Sequence, residues 1–365
     1  MTTNSFNADI YPLKLEALIK EKVWGGRKLE RVVSKQLPPT VNVGETWEAY
    51  DACRISNGKY AGQTLGALIG AHASDVLGAA WATSAQLPLL FKFLDAKENL
   101  SVQVHPDDEA AQRLNGEPSG KTEAWYVLHA EPGAKLQHGF KSDVTRAQWD
   151  EAIRLGQWDE LLAWTPARVG DVFFVQPGLI HALGAGVVVA EIQQNSDLTY
   201  RVYDWGRTDR ELHIEQATAA TKLRALQQHT IAPLAIARET LIQHILMACR
   251  YFVFERLEVQ QSCGDLTTNG KFQIVSCIGG VGELKYGPRT RRTVPIKTGE
   301  TLLLPAQLGA YMLAPIMGEF QLLRSYVPDL RADVIAPLRA AGYADAQIAQ
   351  LGGEWDEAND VKKLL

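Results

Sequence analysis

Short strand-like runs, broken every few residues by Gly, Pro, Asn or Asp, dominate this chain, and that rhythm constrains its fold more than any other feature. "LPLLFKFLDA", "EAWYVLHA", "DVFFVQPG", "VVVAEIQQ", "YFVFERLEV" and "ETLLLPA" are examples. Runs of this length with turn residues between them predict antiparallel β structure. Two phrases repeat the pattern at a distance, "VGDVFFVQPGLIHALGAG" and "TGETLLLPAQLGAYMLAP". In each, a Gly-acidic pair opens a strand that ends in Pro, and another strand soon follows. This looks like a degenerate internal repeat of a β-barrel. The first copy carries His181 and the second has no histidine at that place, so a bound metal is expected in the first.

The chain, at 365 residues with 46% hydrophobic and 22% charged, is long enough for two or three domains. Residues 1–249 read as a strand-rich block with helical insertions near 63–82 and 142–167, and residues 250–329 as a second, smaller block. In the second insertion a Ser or Asp is expected as N-cap. Trp149, Ile153, Leu155, Trp158 and Leu162 would form its apolar stripe, with the tryptophans as core. A third helical stretch, "IEQATAATKLRALQ", follows the last strand of the first block. Residues 330–365 read as a helical extension, two short helices around "AAGYAD" and a charged tail, packing on the body or a partner.

Several function classes are excluded at this stage. The formal net charge is −5 and the densest cationic patch is the short "GPRTRR", which does not suit nucleic acid. No apolar run reaches the roughly 18–20 residues of a membrane span. The start, "MTTNSFNADIYPLK", has neither a basic region nor an apolar core, so it is not read as a secretory signal. Cys53, Cys249, Cys263 and Cys277 are scattered with no CxxC pair, against both a disulfide framework and a cysteine zinc site. The chain reads as cytoplasmic.

Chemistry concentrates in four phrases of the first block. In "SVQVHPDD" alternate residues share a face, so Ser101, Gln103 and His105 lie on one side and Val102 and Val104 on the other. Pro106 ends the ladder because it has no N–H to donate, and Asp107 and Asp108 are expected in a turn. "GKTEAWYVL" offers Glu123, with Lys121 two residues earlier on the same face. "PGLIHALGAG" offers His181, and "VVVAEIQQNSDLTYRVYDWGR" offers Glu191, Asp197, Arg201, Asp204 and Arg207. Imidazole nitrogen and carboxylate oxygen suit Zn²⁺, Fe²⁺ or Mn²⁺, with Gln103 as a weak, neutral fourth ligand. His105 and Glu123 are expected on neighbouring strands, and with His181 they can all point into a barrel. Singly, each has an ordinary reading: a strand-end histidine is usually structural and a strand glutamate usually solvated. Their conjunction in one block carries the weight. His72, His129, His138, His213, His229 and His244 show no ligand spacing and are given the ordinary reading.

At these phrases, and at "KVWGGRKL" and "VGETWEAYD", the sequence resembles type I mannose-6-phosphate isomerase (phosphomannose isomerase), in its shorter bacterial branch, from about Pro12 to Pro328. The resemblance implies a mainly β fold of two cupin-like (jelly-roll) β-barrels with helical insertions and a helical C-terminal tail. It implies one Zn²⁺ per chain held by Gln103, His105, Glu123 and His181. Arg201 and Lys121 would serve at the active site, Glu191 in proton transfer, and Ser101 near the substrate phosphate. The chain departs from the family's pattern at Leu179, where a small or polar residue is frequent, and in extending past the usual end.

The expected reaction converts an aldose 6-phosphate to a ketose 6-phosphate, mannose 6-phosphate to fructose 6-phosphate first, through a cis-enediol. No redox cofactor is needed, and no GxGxxG fingerprint is present. Glu191 is the first candidate for the base and Lys121 the second, with Arg201 stabilising the enediolate or holding the sugar. Lys92 and Arg207 are weaker candidates for the phosphate. The expected partner is a small sugar phosphate, with no nucleic acid and no membrane, the chain acting as a monomer or weak homo-oligomer. Two alternatives stand beside this: a cupin oxidoreductase with Fe²⁺ at the same site, and a non-catalytic sugar-phosphate-binding regulator.

Overall fold

The computed structural model describes residues 10–288 and 292–365. The reading of the first residues as no leader, and most of the cationic patch at 287–292, lie outside the described residues. The fold is mainly β, with three antiparallel sheets of ten, six and five strands. None of the three closes on itself, so each cupin-like barrel is an open, sandwich-like arrangement and not a hydrogen-bonded ring.

The six-stranded sheet runs in the order Val172–Val175, Glu123–Ala130, Val187–Gln194, Leu89–Ala96, Leu18–Gly26 and Val43–Ala49. The five-stranded sheet runs Tyr200–Tyr203, Val102–Val104, His181–Ala182, Lys135–Phe140 and Leu162–Pro166. The ten-stranded sheet holds the second block together with Leu13–Glu16, Arg54–Ile55, Leu234–Ala237 and Leu241–Ala248 from earlier in the chain. Its two long strands, Gln273–Tyr286 and Ala310–Tyr326, change neighbours along their length, with register shifts between 277 and 282. Such bulges bend a strand, and the core of this sheet is continuous with one face of the six-stranded sheet.

Behind the five-stranded sheet, Val102 and Val104 bury against Phe140, Trp149, Trp158 and Tyr200. The tryptophans of the second insertion are therefore core, as expected. The helix itself is shorter than predicted. It spans Arg146–Leu155, and Thr145, not Ser or Asp, is its N-cap in a reciprocal capping box with Gln148. Leu155 is exposed, and residues 162–166 form a strand because they pair with Lys135–Phe140. The first insertion forms the helix Leu65–Leu77, capped by Thr64. The third helical stretch stops at Ala220, since Lys222 N–H leaves the helix to bond the carbonyl of Gly178. Asp107 and Asp108 do more than form a turn. Asp107 caps the helix Asp108–Asn115, and Asp108 accepts from Gly120 N–H, Gln194 Nε2 and Tyr251 OH. After Pro328 the chain makes a π-helical turn, Leu330–Ile335, and the helices Ala336–Ala340 and Asp345–Ala349. Their apolar faces join Leu234, Ile245 and Val253 of the ten-stranded sheet. All four cysteines are buried and free.

Trp149 is fully buried, stacks edge-on against Trp158 and Phe140, and donates its indole N–H to Thr218 Oγ1 at 3.0 Å. Trp149→Ala removes that volume without a route for collapse. It is expected to cost about 3–5 kcal/mol in denaturant unfolding.

Candidate metal centre and active site

The five- and six-stranded sheets face each other, and the polar residues singled out from sequence converge between them. His105 and Glu123 are not on neighbouring strands: the strand leading to His105 and the strand beginning at Glu123 belong to different sheets. They meet across the interior. Within the five-stranded sheet, Arg201, Gln103, His181 and His138 are successive cross-strand partners. Within the six-stranded sheet, Trp125, Glu191 and Lys92 form one such row.

His105, Glu123 and His181 are buried with ligand atoms all within 4.8 Å of one another. The carbonyl of Leu198 accepts from His105 Nδ1 at 2.8 Å, and that of Leu179 accepts from His181 Nδ1 at 2.9 Å. A backbone acceptor at Nδ1 turns the Nε2 lone pair into the site, where Lys121 Nζ lies 3.2 Å from that of His105. Both Nε2 atoms face the Glu123 carboxylate, at 3.5 Å and 3.4 Å. Gln103 brings its side-chain amide to 3.3 Å from His181 Nε2. Burial, then the neighbouring His105, pushes the His181 pKa down to about 3, so its imidazole is neutral and able to coordinate. Burial and then Lys121 lower that of His105 as well. Burial opposes charge on Glu123, but Lys121 and His105 outweigh it and hold the carboxyl well below the usual range.

Lys121 Nζ lies 2.9 Å from Glu123 Oε2, at ion-pair distance, yet neither carboxylate oxygen has a hydrogen-bond partner. A buried, ionised carboxylate that faces two imidazole nitrogens, with one ammonium beside it, fits a divalent cation. Among the described residues this is the only cluster of three or more His, Cys, Asp or Glu with such spacing.

Above the cluster opens a cavity of about 340 Å³ lined by Ser101, Gln103, Lys121, Glu191 and Arg201 among others. Glu191 Oε2 accepts the indole N–H of Trp125 at 2.7 Å, while Lys92 Nζ stands 3.2 Å from Oε1. Burial and the Glu123 charge raise the Glu191 pKa against the pull of Lys92 and Lys121. Arg201 Nε donates to Ser101 Oγ at 3.2 Å, and its Nη1 to the carbonyl of Glu211 at 2.7 Å. Burial and the neighbouring Arg210 lower the Arg201 pKa, the mark of crowded cations where an anion is welcome. Arg207 stands apart from this lining. Its guanidinium bonds Asp204 and the carbonyl of Asn99.

Sequence reading did not single out Trp125, Glu45 and Arg210 of the lining, and gave His213 the ordinary reading. Trp125 and Glu45 sit in strands whose alternation is masked by burial on both faces. Arg210 and His213 come from the loop after Tyr203 and reach the cavity through the partners of Arg201. Lys92, the lone Lys in "LLFKFL", is buried on the same wall as Trp125.

A family profile described as phosphomannose isomerase type I, catalytic domain, matches residues 12–121, and one described as mannose-6-phosphate isomerase, cupin domain, matches residues 242–327. The chain is 34% identical over 313 residues to mannose-6-phosphate isomerase ManA of Bacillus subtilis, covering 83% of this chain and 95% of that one. It is 32% identical over 324 residues to mannose-6-phosphate isomerase of Streptococcus mutans, covering 86% and 98%. The crystal structure of the Bacillus subtilis mannose 6-phosphate isomerase superimposes with a TM-score of 0.78 at 33% identity, over 86% of this chain and 99% of that one. The apo enzyme of Salmonella typhimurium shares the fold, with a TM-score of 0.69 at 18% identity over 87% and 99%. With a catalytic-domain match, a cupin-domain match and full-length relatives above 30% identity, this chain belongs to the type I phosphomannose isomerase family.

Proposed function

We infer that the chain interconverts mannose 6-phosphate and fructose 6-phosphate with one zinc ion, held by Gln103, His105, Glu123 and His181. The observation that carries this is the buried carboxylate of Glu123, which faces the Nε2 atoms of two buried imidazoles beside the Lys121 ammonium. The relatives in Bacillus subtilis and Streptococcus mutans are named mannose-6-phosphate isomerases, which supplies the substrate class. The metal chemistry is assigned to residues 1–249. Residues 250–329 are taken as a second cupin-like domain without ligands, and 330–365 as a helical extension. The reading includes a cytoplasmic location and action as a monomer or weak homo-oligomer.

Isomerisation moves a proton between C2 and C1 of the open-chain sugar. When bound, the zinc supplies Lewis acidity for the charge that develops on the sugar oxygens. Glu191 is assigned as the base. It takes the C2 proton, leaving a cis-enediolate in which a proton passes from the C2 hydroxyl to O1, and returns the first proton to C1. Its raised pKa brings it closer to working pH than an exposed glutamate, which strengthens it as both acceptor and donor. The indole N–H of Trp125 fixes one carboxylate oxygen and leaves Oε1 without a hydrogen bond. Lys121 lies beside Glu123 and lines the same cavity, where its ammonium can steady an oxyanion. Arg201, braced by Ser101 and Glu211, is assigned to the sugar or its enediolate, and Ser101 to the phosphate.

Removing metal with a chelator is expected to abolish fructose 6-phosphate formation in a coupled assay, and added Zn²⁺ to restore it. Restoration only by Fe²⁺, with oxygen uptake, would favour the oxidoreductase reading, since a His-Glu-His set also suits iron. Glu191→Gln is expected to lower kcat by about 10²–10⁴-fold while zinc content and KM stay near wild type. An unchanged kcat would remove Glu191 from the base role and leave Lys121 next in line.

A further inference from the structure

Leu179 and the C-terminal extension meet in one small buried cluster. Leu179 is fully enclosed, and its packing partners are Leu226 and Trp355, the latter from the C-terminal extension. Both matched family regions end before this extension, at residues 121 and 327. Leu179 also supplies the carbonyl that accepts from His181 Nδ1, so one residue both sets the imidazole and grips the tail.

The contact is built, not incidental. The turn from Gln176 to Ile180 is tied on one side to the site itself, because Gly178 N–H bonds the carbonyl of His105 at 2.9 Å. On the other side Lys222 N–H bonds the carbonyl of Gly178, also at 2.9 Å. The tail closes over both. Gly353 lies so near Phe174 and Gln176 that a Cβ there would stand 2.8 Å and 2.9 Å from their side chains, and its φ of +84° favours glycine as well. Glu354 accepts from the backbone N–H groups of Gln227 and Gln228 at 2.8–2.9 Å. Trp355, 4% exposed, lies beneath Lys222 and Arg224 at cation–π distances of 4.9 Å and 5.4 Å. Glu357 pairs with those same two cations.

We propose that residues 353–357 act as a strap that positions the metal-binding turn, with Trp355 clamping Leu179 and thereby holding the imidazole of His181 in its ligating orientation. This rests on His181 being a metal ligand. Trp355 is a positioning residue: it is neither among the cavity-lining residues nor one of the four assigned zinc ligands, and acts through Leu179. Loss of a group that orients a ligand imidazole commonly weakens metal binding by about 10–100-fold.

The test uses full-length protein stripped of metal and titrated with Zn²⁺ against a chromogenic chelator. Trp355→Ala is expected to weaken zinc affinity about tenfold, and Trp355→Phe to restore most of it. Leu179→Ala should weaken zinc similarly, and the double variant no further than the weaker single, because both act through one contact. Leu284→Ala, a truncation in the distant core of the ten-stranded sheet, should lower the melting temperature and leave zinc affinity unchanged. Should Trp355→Ala not fold, Glu354→Gln, which loosens the same segment from Gln227 and Gln228, carries the same expectation. Wild-type zinc affinity in a destabilised Trp355→Ala or Glu354→Gln would reduce the tail to packing and overturn the proposal, as would an equal zinc loss in Leu284→Ala. His105→Ala separates the two layers. If it loses zinc while Trp355→Ala keeps it, only the strap falls; if it keeps zinc, the metal reading falls and the strap with it.

Discussion

Glu123 begins its strand with an ionised carboxylate in the interior, and much of the surrounding structure answers that one charge. Taking a carboxylate out of water costs several kcal/mol even after relaxation. Lys121 stands on one side, and the two imidazole Nε2 atoms on the other. The imidazoles are turned there by carbonyls of Leu198 and Leu179, both from connections between strands. Those connections keep their places only because the sheets behind them are rigid. Val102 and Val104 anchor one wall to the tryptophan cluster, and Phe173, Val175 and Trp125 anchor the other. The core is thus what fixes the spacing of the ligand atoms.

Charge in the cavity above is distributed rather than uniform. Glu45, Lys92 and Glu191 form a buried chain on one wall, and burial alone would disfavour every member. The two acids hold Lys92 charged, its pKa raised against the burial that opposes it. On the opposite wall Arg201 and Arg210 repel each other, and Asp204 neutralises Arg210 and Arg207 but leaves Arg201 to Ser101 and a backbone carbonyl. The cationic wall suits a phosphate, and the alternating acid and base wall suits a substrate that must lose and regain a proton.

What could be read in the sequence follows from locality. The alternation at Ser101, Gln103 and His105 marked the site face because side-chain direction in a strand has a period of two residues, whatever the strand pairs with. The apolar run around Trp149 marked core for the same reason at helical spacing. The pairing of distant strands was not local, and so His105 and Glu123 were expected as neighbours when they in fact face each other across two sheets. Residues 162–166 and 222–226 look helical in isolation. Each is extended by a partner far away in sequence, the strand Lys135–Phe140 for one and the Gly178 turn for the other. Trp125, placed over Glu191 by cross-strand register alone, had no local signal at all.

The buried charges of the two blocks are satisfied in different ways. The second block also buries a carboxylate, Glu255, with no exposed surface. Its Oε2 accepts from Arg324 Nε at 2.6 Å and its Oε1 from Gln243 Nε2 at 2.8 Å. Arg324 in turn donates to Tyr311 OH at 3.1 Å, which donates to Gln273. Glu255 raises the Arg324 pKa well above its usual value despite burial, so the pair stays charged and mutually neutral. A carboxylate paired this way needs no cation from solution. Glu123 has the single ammonium of Lys121 beside Oε2, and two imidazole Nε2 atoms face it in place of an arginine fork. The second block therefore holds a closed ion pair, whereas the first leaves a carboxylate facing two imidazole nitrogens at the edge of a cavity.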